Sequence, residues 1–322
     1  MDRATEKSLD TVELIYEQFF GLDNINDATT LNVGERGIKL TSAMNVECLR
    51  NFTLARRPGY TPVLTGNYTE MWPYGDDILA LKNNMDLVRI YGNAASYSYE
   101  TLMSGFGNLR VVFTDTYRGV YMTNGAFIKV YKTSVEDLPA VTDELKFQMP
   151  PGQVIEYWKN SLIVGTGRNI YISDVNEFEK VDSRTGVLAF PSDVTMVKGL
   201  TGGLWIGTED GCWFSKDLGT GDVLGYVGKE GIGEIPFLHQ QIIDHSVIKN
   251  SAVKVYDITT PTGKIYDEAV IWTSPVGIYI GGKNGEFENL TGDRYEIPAT
   301  TLATSTFRWD GNLKQYIVIL KI

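Results

Sequence analysis

An all-β chain of repeated antiparallel hairpins is the fold class that this sequence predicts, and three observations predict it. The first is a short device that occurs twice. Ser161-Leu162-Ile163-Val164-Gly165-Thr166-Gly167-Arg168-Asn169-Ile170-Tyr171-Ile172-Ser173 is one copy, and Gly203-Leu204-Trp205-Ile206-Gly207-Thr208-Glu209-Asp210-Gly211-Cys212-Trp213-Phe214-Ser215 is the other. Each is an apolar strand, a tight glycine-bearing turn and a second β-branched or aromatic strand, which is a hairpin signal. The second observation is the period: Gly165 and Gly207 stand 42 residues apart, and so do Ser173 and Ser215. The third is composition, with 33 glycines, 18 tyrosines and 11% aromatic residues. That suits many short strands joined by tight turns. A strand-only period near forty is the pattern of a β-propeller blade.

Weaker copies extend the pattern in both directions. Gly119–Tyr131 carries Thr123 at 43 residues before Thr166, and Ile78–Tyr91 carries Lys82 another 41 residues earlier. Ala269–Ile280 places Thr273 at 65 residues after Thr208. The excess reads as an insertion around Val253–Tyr266, where Thr259-Thr260-Pro261-Thr262-Gly263 marks a loop. The resulting blades are 66–105, 106–150, 151–191, 192–232 and 236–292. Inner strands are expected at Val111–Asp115, Gln153–Trp158, Val194–Lys198 and Ile242–Val247, with none evident in the first blade.

The ends of the chain each supply half a blade. Thr300–Trp309, the turn Asp310-Gly311-Asn312 and Gln315–Leu320 form a hairpin. Near the front, Met44, Val46 and Cys48 alternate, Arg50-Asn51 turns, and Phe52–Arg56 runs back before Pro58 ends the pairing. Joining the C-terminal pair inside and the N-terminal pair outside would remove two open sheet edges. The expectation is therefore a propeller of about six four-stranded blades, closed by N- and C-terminal strands. Residues 1–40 form an N-terminal helix and extended arm, and 41–322 the propeller. Ser8 or Asp10 caps the helix over 1–20, whose apolar face is Val12, Leu14, Ile15, Phe19 and Phe20. Gly21–Leu40 is polar and turn-rich and reads as a connector.

Charge and residue inventory exclude several functions. The net charge is −11, from 40 acidic and 29 basic residues. Such a surface repels nucleic acid and anionic membrane at long range, yet suits a wall that surrounds DNA without gripping it. Two cysteines, Cys48 and Cys212, and two histidines, His239 and His245, make no zinc set at any familiar spacing. They leave a single disulfide open, although Cys212 lies inside a strand pattern and reads as a small buried hydrophobe. The charged start, Met1–Lys7, lacks the apolar segment of a signal peptide. No run approaches the roughly 20 apolar residues of a membrane span. Arg56-Arg57 reads as a solvated strand end in preference to a phosphate contact.

The segment Gly21-Leu22-Asp23-Asn24, then Ala43-Met44-Asn45-Val46 and Arg56-Arg57-Pro58-Gly59-Tyr60, resembles the start of phage tail nozzle and tail-tube β-propeller proteins. Asp23 stands where that family tends to have Asn, and Glu47 where it tends to have Asp. The resemblance implies a virion structural protein of the tail, made in the host cytoplasm. It implies a homo-hexameric ring that docks on a head-to-tail adaptor or other tail proteins. DNA would pass through its lumen without specific binding. No membrane insertion, cofactor, metal or catalytic residue is implied.

An enzyme of the glycoside hydrolase kind, or a glycan-binding propeller, is the alternative. A sialidase needs clustered arginines, and only Arg110 and Arg308 lie near inner strands. Glu156, Asp193, Asp244 and Glu268 are the carboxylates near such strands, where a pair could serve as acid and base. They also read as ordinary strand-end acids. Asp244-His245 is a weak dyad, since alternation puts strand neighbours on opposite faces. Thr208–Trp213 approaches an Asp-box but reads better as a hairpin turn. There is no Gly-x-Ser-x-Gly elbow, P-loop or dinucleotide fingerprint. A WD-type interaction scaffold is the third reading, but Trp309-Asp310 occurs once and without period.

Overall fold

The computed structural model describes residues 64–83, 85–93, 96–106, 110–216, 239–292, 295, 297–310 and 313–321, preceded by five strand segments. The chain divides into two compact units, Met1–Tyr60 with Gly292–Glu296 and Thr61–Thr291 with Ile297–Ile322.

In the smaller unit, Gln18–Leu22 pairs in parallel with Gly37–Leu40, which pairs antiparallel with Asn32–Val33. Residues 18–20 are thus strand where a helix was expected, and 1–17 lie outside the described residues. The adjacent aromatics Phe19 and Phe20 favour a pleated surface over a helix turn. The expected connector likewise contributes two of this sheet's three strands. Val46–Cys48 and Leu54–Arg56 form the expected hairpin. Its turn, Arg50-Asn51, lies outside the described residues.

The larger unit is a β-propeller of antiparallel sheets, and among its described residues there is no α-helix. Five sheets have four strands each. The first is Tyr68–Tyr74, Asp77–Lys82, Asp86–Asn93 and Ser96–Met103. The second is Val112–Thr116, Gly119–Thr123, Ile128–Tyr131 and Val135–Asp137. The third is Val154–Trp158, Ser161–Thr166, Asn169–Ile172 and Val187–Ala189. The fourth is Val194–Leu200, Gly203–Thr208, Cys212–Lys216 and His239–Ile243. The fifth is Val253–Thr259, Ile265–Ser274, Gly277–Gly282 and Phe287–Asn289. A C-terminal hairpin, Ala303–Asp310 with Leu313–Leu320, follows. Lys146–Gln148 and Lys180–Asp182 make a small additional pair.

The recurring hairpin is therefore the second and third strand of each sheet. Three expectations are corrected. The first sheet does have an inner strand, Tyr68–Tyr74, disguised by a bulge: pairing jumps from Thr69↔Leu81 to Trp72↔Leu79, and Glu70 takes φ +49°. The fifth inner strand is Val253–Thr259, where an insertion was expected. Thr260 to Lys264 is only its turn, closed by the Thr260 N–H on the Lys264 carbonyl. Ile242–Val247 is instead the end of the fourth sheet's outer strand and a bend after it. The extra length lies between Lys216 and His239, outside the described residues. Val46–Cys48 with Leu54–Arg56, and Ala303–Asp310 with Leu313–Leu320, are each a two-stranded sheet.

The core lies between successive sheets. Leu79 and Leu87 meet Phe113 and Met122; Tyr121 and Val130 meet Leu162 and Val164; Ile163 and Ile170 meet Val197 and Leu204. Indole N–H groups tie neighbours together: Trp72 to Asp115 Oδ1 at 3.1 Å, Trp158 to the Leu200 carbonyl at 2.7 Å, Trp205 to the Gly282 carbonyl at 2.9 Å. Such a partner keeps the indole N–H from being stranded as the ring is buried.

Candidate functional site: the axial cavity

The inner strands converge on one cavity of about 170 Å³. Glu70–Trp72, Val112-Phe113, Val154-Ile155, Thr195–Lys198 and Thr304-Ser305 line it from the inner strands of sheets one to four and of the C-terminal hairpin. Asn250 and Ala252 line it from the approach to the fifth. Five sheets and the hairpin thus share one axis.

Two charged braces cross this axis. Arg110, entering the second sheet, bonds Glu70 of the first through Nε. Its other nitrogens reach the C-terminal hairpin, at the Ala303 carbonyl (3.0 Å) and Thr304 Oγ1 (2.6 Å). The planar guanidinium suits this, since it presents several donors in a fixed fork. The second brace is Glu156, buried on the third sheet. Its two oxygens take Lys198 of the fourth sheet at 3.2 Å and Lys254 of the fifth at 2.8 Å. A carboxylate removed from water needs such pairing to stay in place. Near the same axis, Lys249 donates to Gln153 Oε1 at 2.5 Å. Burial first, and then the positive charge of Arg110, hold its ammonium below the usual lysine range.

The residues singled out in the sequence are not gathered into one catalytic group. Arg110 lines the cavity. Arg308 is not among the lining residues and faces Gln315 across its hairpin. Glu156 is the carboxylate of the second brace. Asp193 is exposed, and its carbonyl receives the Glu209 N–H at 3.0 Å. Glu268 accepts both the N–H (2.8 Å) and hydroxyl (2.5 Å) of Thr201. Asp244 and His245 approach to 3.3 Å, but in an exposed bend after the strand, so the alternation expected there does not apply. Thr208–Trp213 is a hairpin turn, with the Thr208 hydroxyl 2.9 Å from Asp210 Oδ1. Cys212 is a free, buried thiol, pushed up in pKa by that burial. Arg56 ends its strand, while Arg57 lies outside the described residues. Among the described residues no group of three His, Cys, Asp or Glu is placed to hold a metal ion.

Glu70, Lys198 and Lys254 were not singled out from sequence. One signal was available for Lys198: it stands one period, 42 residues, after Glu156. The repeat therefore puts both at the same position of successive inner strands.

No protein-family model matches the sequence, and no curated protein matches it. Solved structures similar to the chain include a CNH domain and a WD40 domain. The AfRom2 CNH domain is 12% identical, with 84% of this chain and 87% of that one covered and a TM-score of 0.43. The WD40 domain of Neurospora crassa Pan2 is 11% identical, covering 74% and 69%, at a TM-score of 0.43. The extracellular domain of a two-component system protein from B. thetaiotaomicron is 11% identical at a TM-score of 0.45. The match covers 74% of this chain but only 29% of that one.

Proposed function

We propose that the chain is a structural component of a phage virion, a tail nozzle or tail-tube subunit that assembles as a homo-hexameric ring around the path of the genome. The observation that carries this reading is the segment Gly21–Tyr60, whose residues resemble the start of that family. Two further features support it. The chain bears a net charge of −11, which keeps a wall from holding the phosphates that slide past it. Met1–Tyr60 with Gly292–Glu296 also count as one compact unit, a natural source of contacts to a neighbouring subunit or an adaptor. In this reading the propeller supplies rigid mass and the N-terminal unit supplies assembly.

The test compares the full chain with a chain lacking residues 1–20, by native mass and electron microscopy. The full chain is expected to form six-membered rings. The truncated chain is expected to keep its circular dichroism and melting temperature while losing the rings. A monomeric full chain that hydrolyses aryl glycosides would overturn the reading in favour of the glycoside hydrolase alternative.

A further inference from the structure

The axial cavity has more donors than the braces consume. Lys198 gives one hydrogen to Glu156 at 3.2 Å, but that carboxylate already has the closer Lys254 at 2.8 Å. An ammonium carries three hydrogens, so Lys198 keeps two for the cavity that it lines. Arg110 spends three of its five donors on Glu70, Ala303 and Thr304. Two further polar atoms buried at the cavity have no hydrogen-bond partner: the Thr195 hydroxyl and the Asn250 side-chain nitrogen. Buried polar groups are almost always paired, and stranding one is costly. The charge points the same way. Arg110, Lys198 and Lys254 face Glu70 and Glu156 in the two braces, an excess of one positive charge inside a chain whose net charge is −11. The cavity, at about 170 Å³, is more than ten times the roughly 10–15 Å³ that one water requires.

We propose that the axial cavity is a binding site for a small oxyanion, an inorganic phosphate or a compact carboxylate. Lys198 and Arg110 supply charge-assisted hydrogen bonds, and Asn250 and Thr195 supply neutral ones. An ion seated there would join the first, second, fourth and fifth sheets and the C-terminal hairpin at one point. The proposal stands on the cavity and does not depend on the virion reading.

The test is isothermal titration of the full chain with sodium phosphate and, separately, with sodium malonate, against sodium chloride at matched ionic strength. One site per chain is expected for at least one of the two probes, with a rise in melting temperature that chloride does not give. Tight binding of phosphate alone identifies the inorganic ion, and tight binding of malonate alone the carboxylate. Lys198→Met should weaken binding about tenfold or more, the loss of one charge-assisted bond. Glu156→Gln should tighten it, because the competing carboxylate is gone while both lysines remain. If Lys198→Met does not fold, the isosteric Thr195→Val should weaken binding about fivefold, the worth of one neutral bond. Lys264→Met, remote from the cavity, should leave binding unchanged. Absence of saturable binding by both probes overturns the proposal. So does binding that Lys198→Met and Thr195→Val leave intact, or that Lys264→Met weakens as much.

Discussion

Two seams of the propeller hold their sheets together by different physics. Between the fourth and fifth sheets the seam is aromatic. Trp205 lies 5.3 Å from Trp272 and 5.0 Å from Phe214, ring centre to ring centre, and Trp272 stacks on Tyr279. Met196, Leu200 and Val270 fill the remainder, and both tryptophans are fully buried. Between the C-terminal hairpin and the first sheet the seam is open and is bridged by a charged side chain. A cleft of about 460 Å³ runs there, lined by Thr69, Glu70, Leu81, Ala303 and Ile319 among others. Ile319 remains 69% exposed, and Arg110 reaches across to both sides. The first seam is held by area removed from water; the second depends on one guanidinium. A repeat protein can thus join its sheets by unequal contacts, one aromatic and one bridged by a charged side chain.

The comparison is broken most severely at the aromatic seam. Trp205→Ala removes a fully buried ring that also donates to the Gly282 carbonyl, and is expected to cost about 3–5 kcal/mol in denaturant unfolding. A cost under about 1 kcal/mol would show that this seam is not packed as described.

A smaller effect is expected where the fifth sheet meets the C-terminal hairpin. Tyr316 lies there, its hydroxyl bonded to the Ser251 carbonyl (2.5 Å) and 2.8 Å from the Thr273 hydroxyl. Burial pushes its pKa up to about 12. An unfolded tyrosine titrates near 10, so the folded state keeps a proton that the unfolded state loses as pH rises past that value. Tyr316 should therefore lower stability progressively between about pH 10 and 12, with no such effect at pH 7. Tyr316→Phe should cost about 1 kcal/mol at pH 7 for the lost hydrogen bond and should flatten the alkaline fall. An unchanged alkaline profile would mean that the hydroxyl is solvated.

Much of this fold was legible because the hairpins obey simple rules. Leu162-Ile163-Val164 and Leu204-Trp205-Ile206 are continuous apolar runs that end in Gly-Thr, and they are the most buried strands of their sheets. What escaped has local physical causes. The bulge at Glu70 destroys the alternation of Tyr68–Tyr74. Val253–Thr259 carries Lys254, Tyr256 and Asp257, with Tyr256 exposed, and so resembles a loop, although Val255 and Ile258 are buried beneath it. The cavity was harder to read. A glutamate on an inner strand invites a catalytic reading, and a lysine there reads as a solvated face. Only the fold brings Lys254 to Glu156 from two sheets away.

The central claim is that the C-terminal hairpin is the sixth wall of the propeller, held to the first two sheets by Arg110. Amide hydrogen exchange across Ala303–Arg308, in the full chain and in Arg110→Met, tests it directly. The account predicts slow exchange in the native chain and a selective loss of protection in the variant, with Leu204–Gly207 unaffected. Rapid exchange of those amides in the native chain, or an Arg110→Met profile identical to it, would contradict the account.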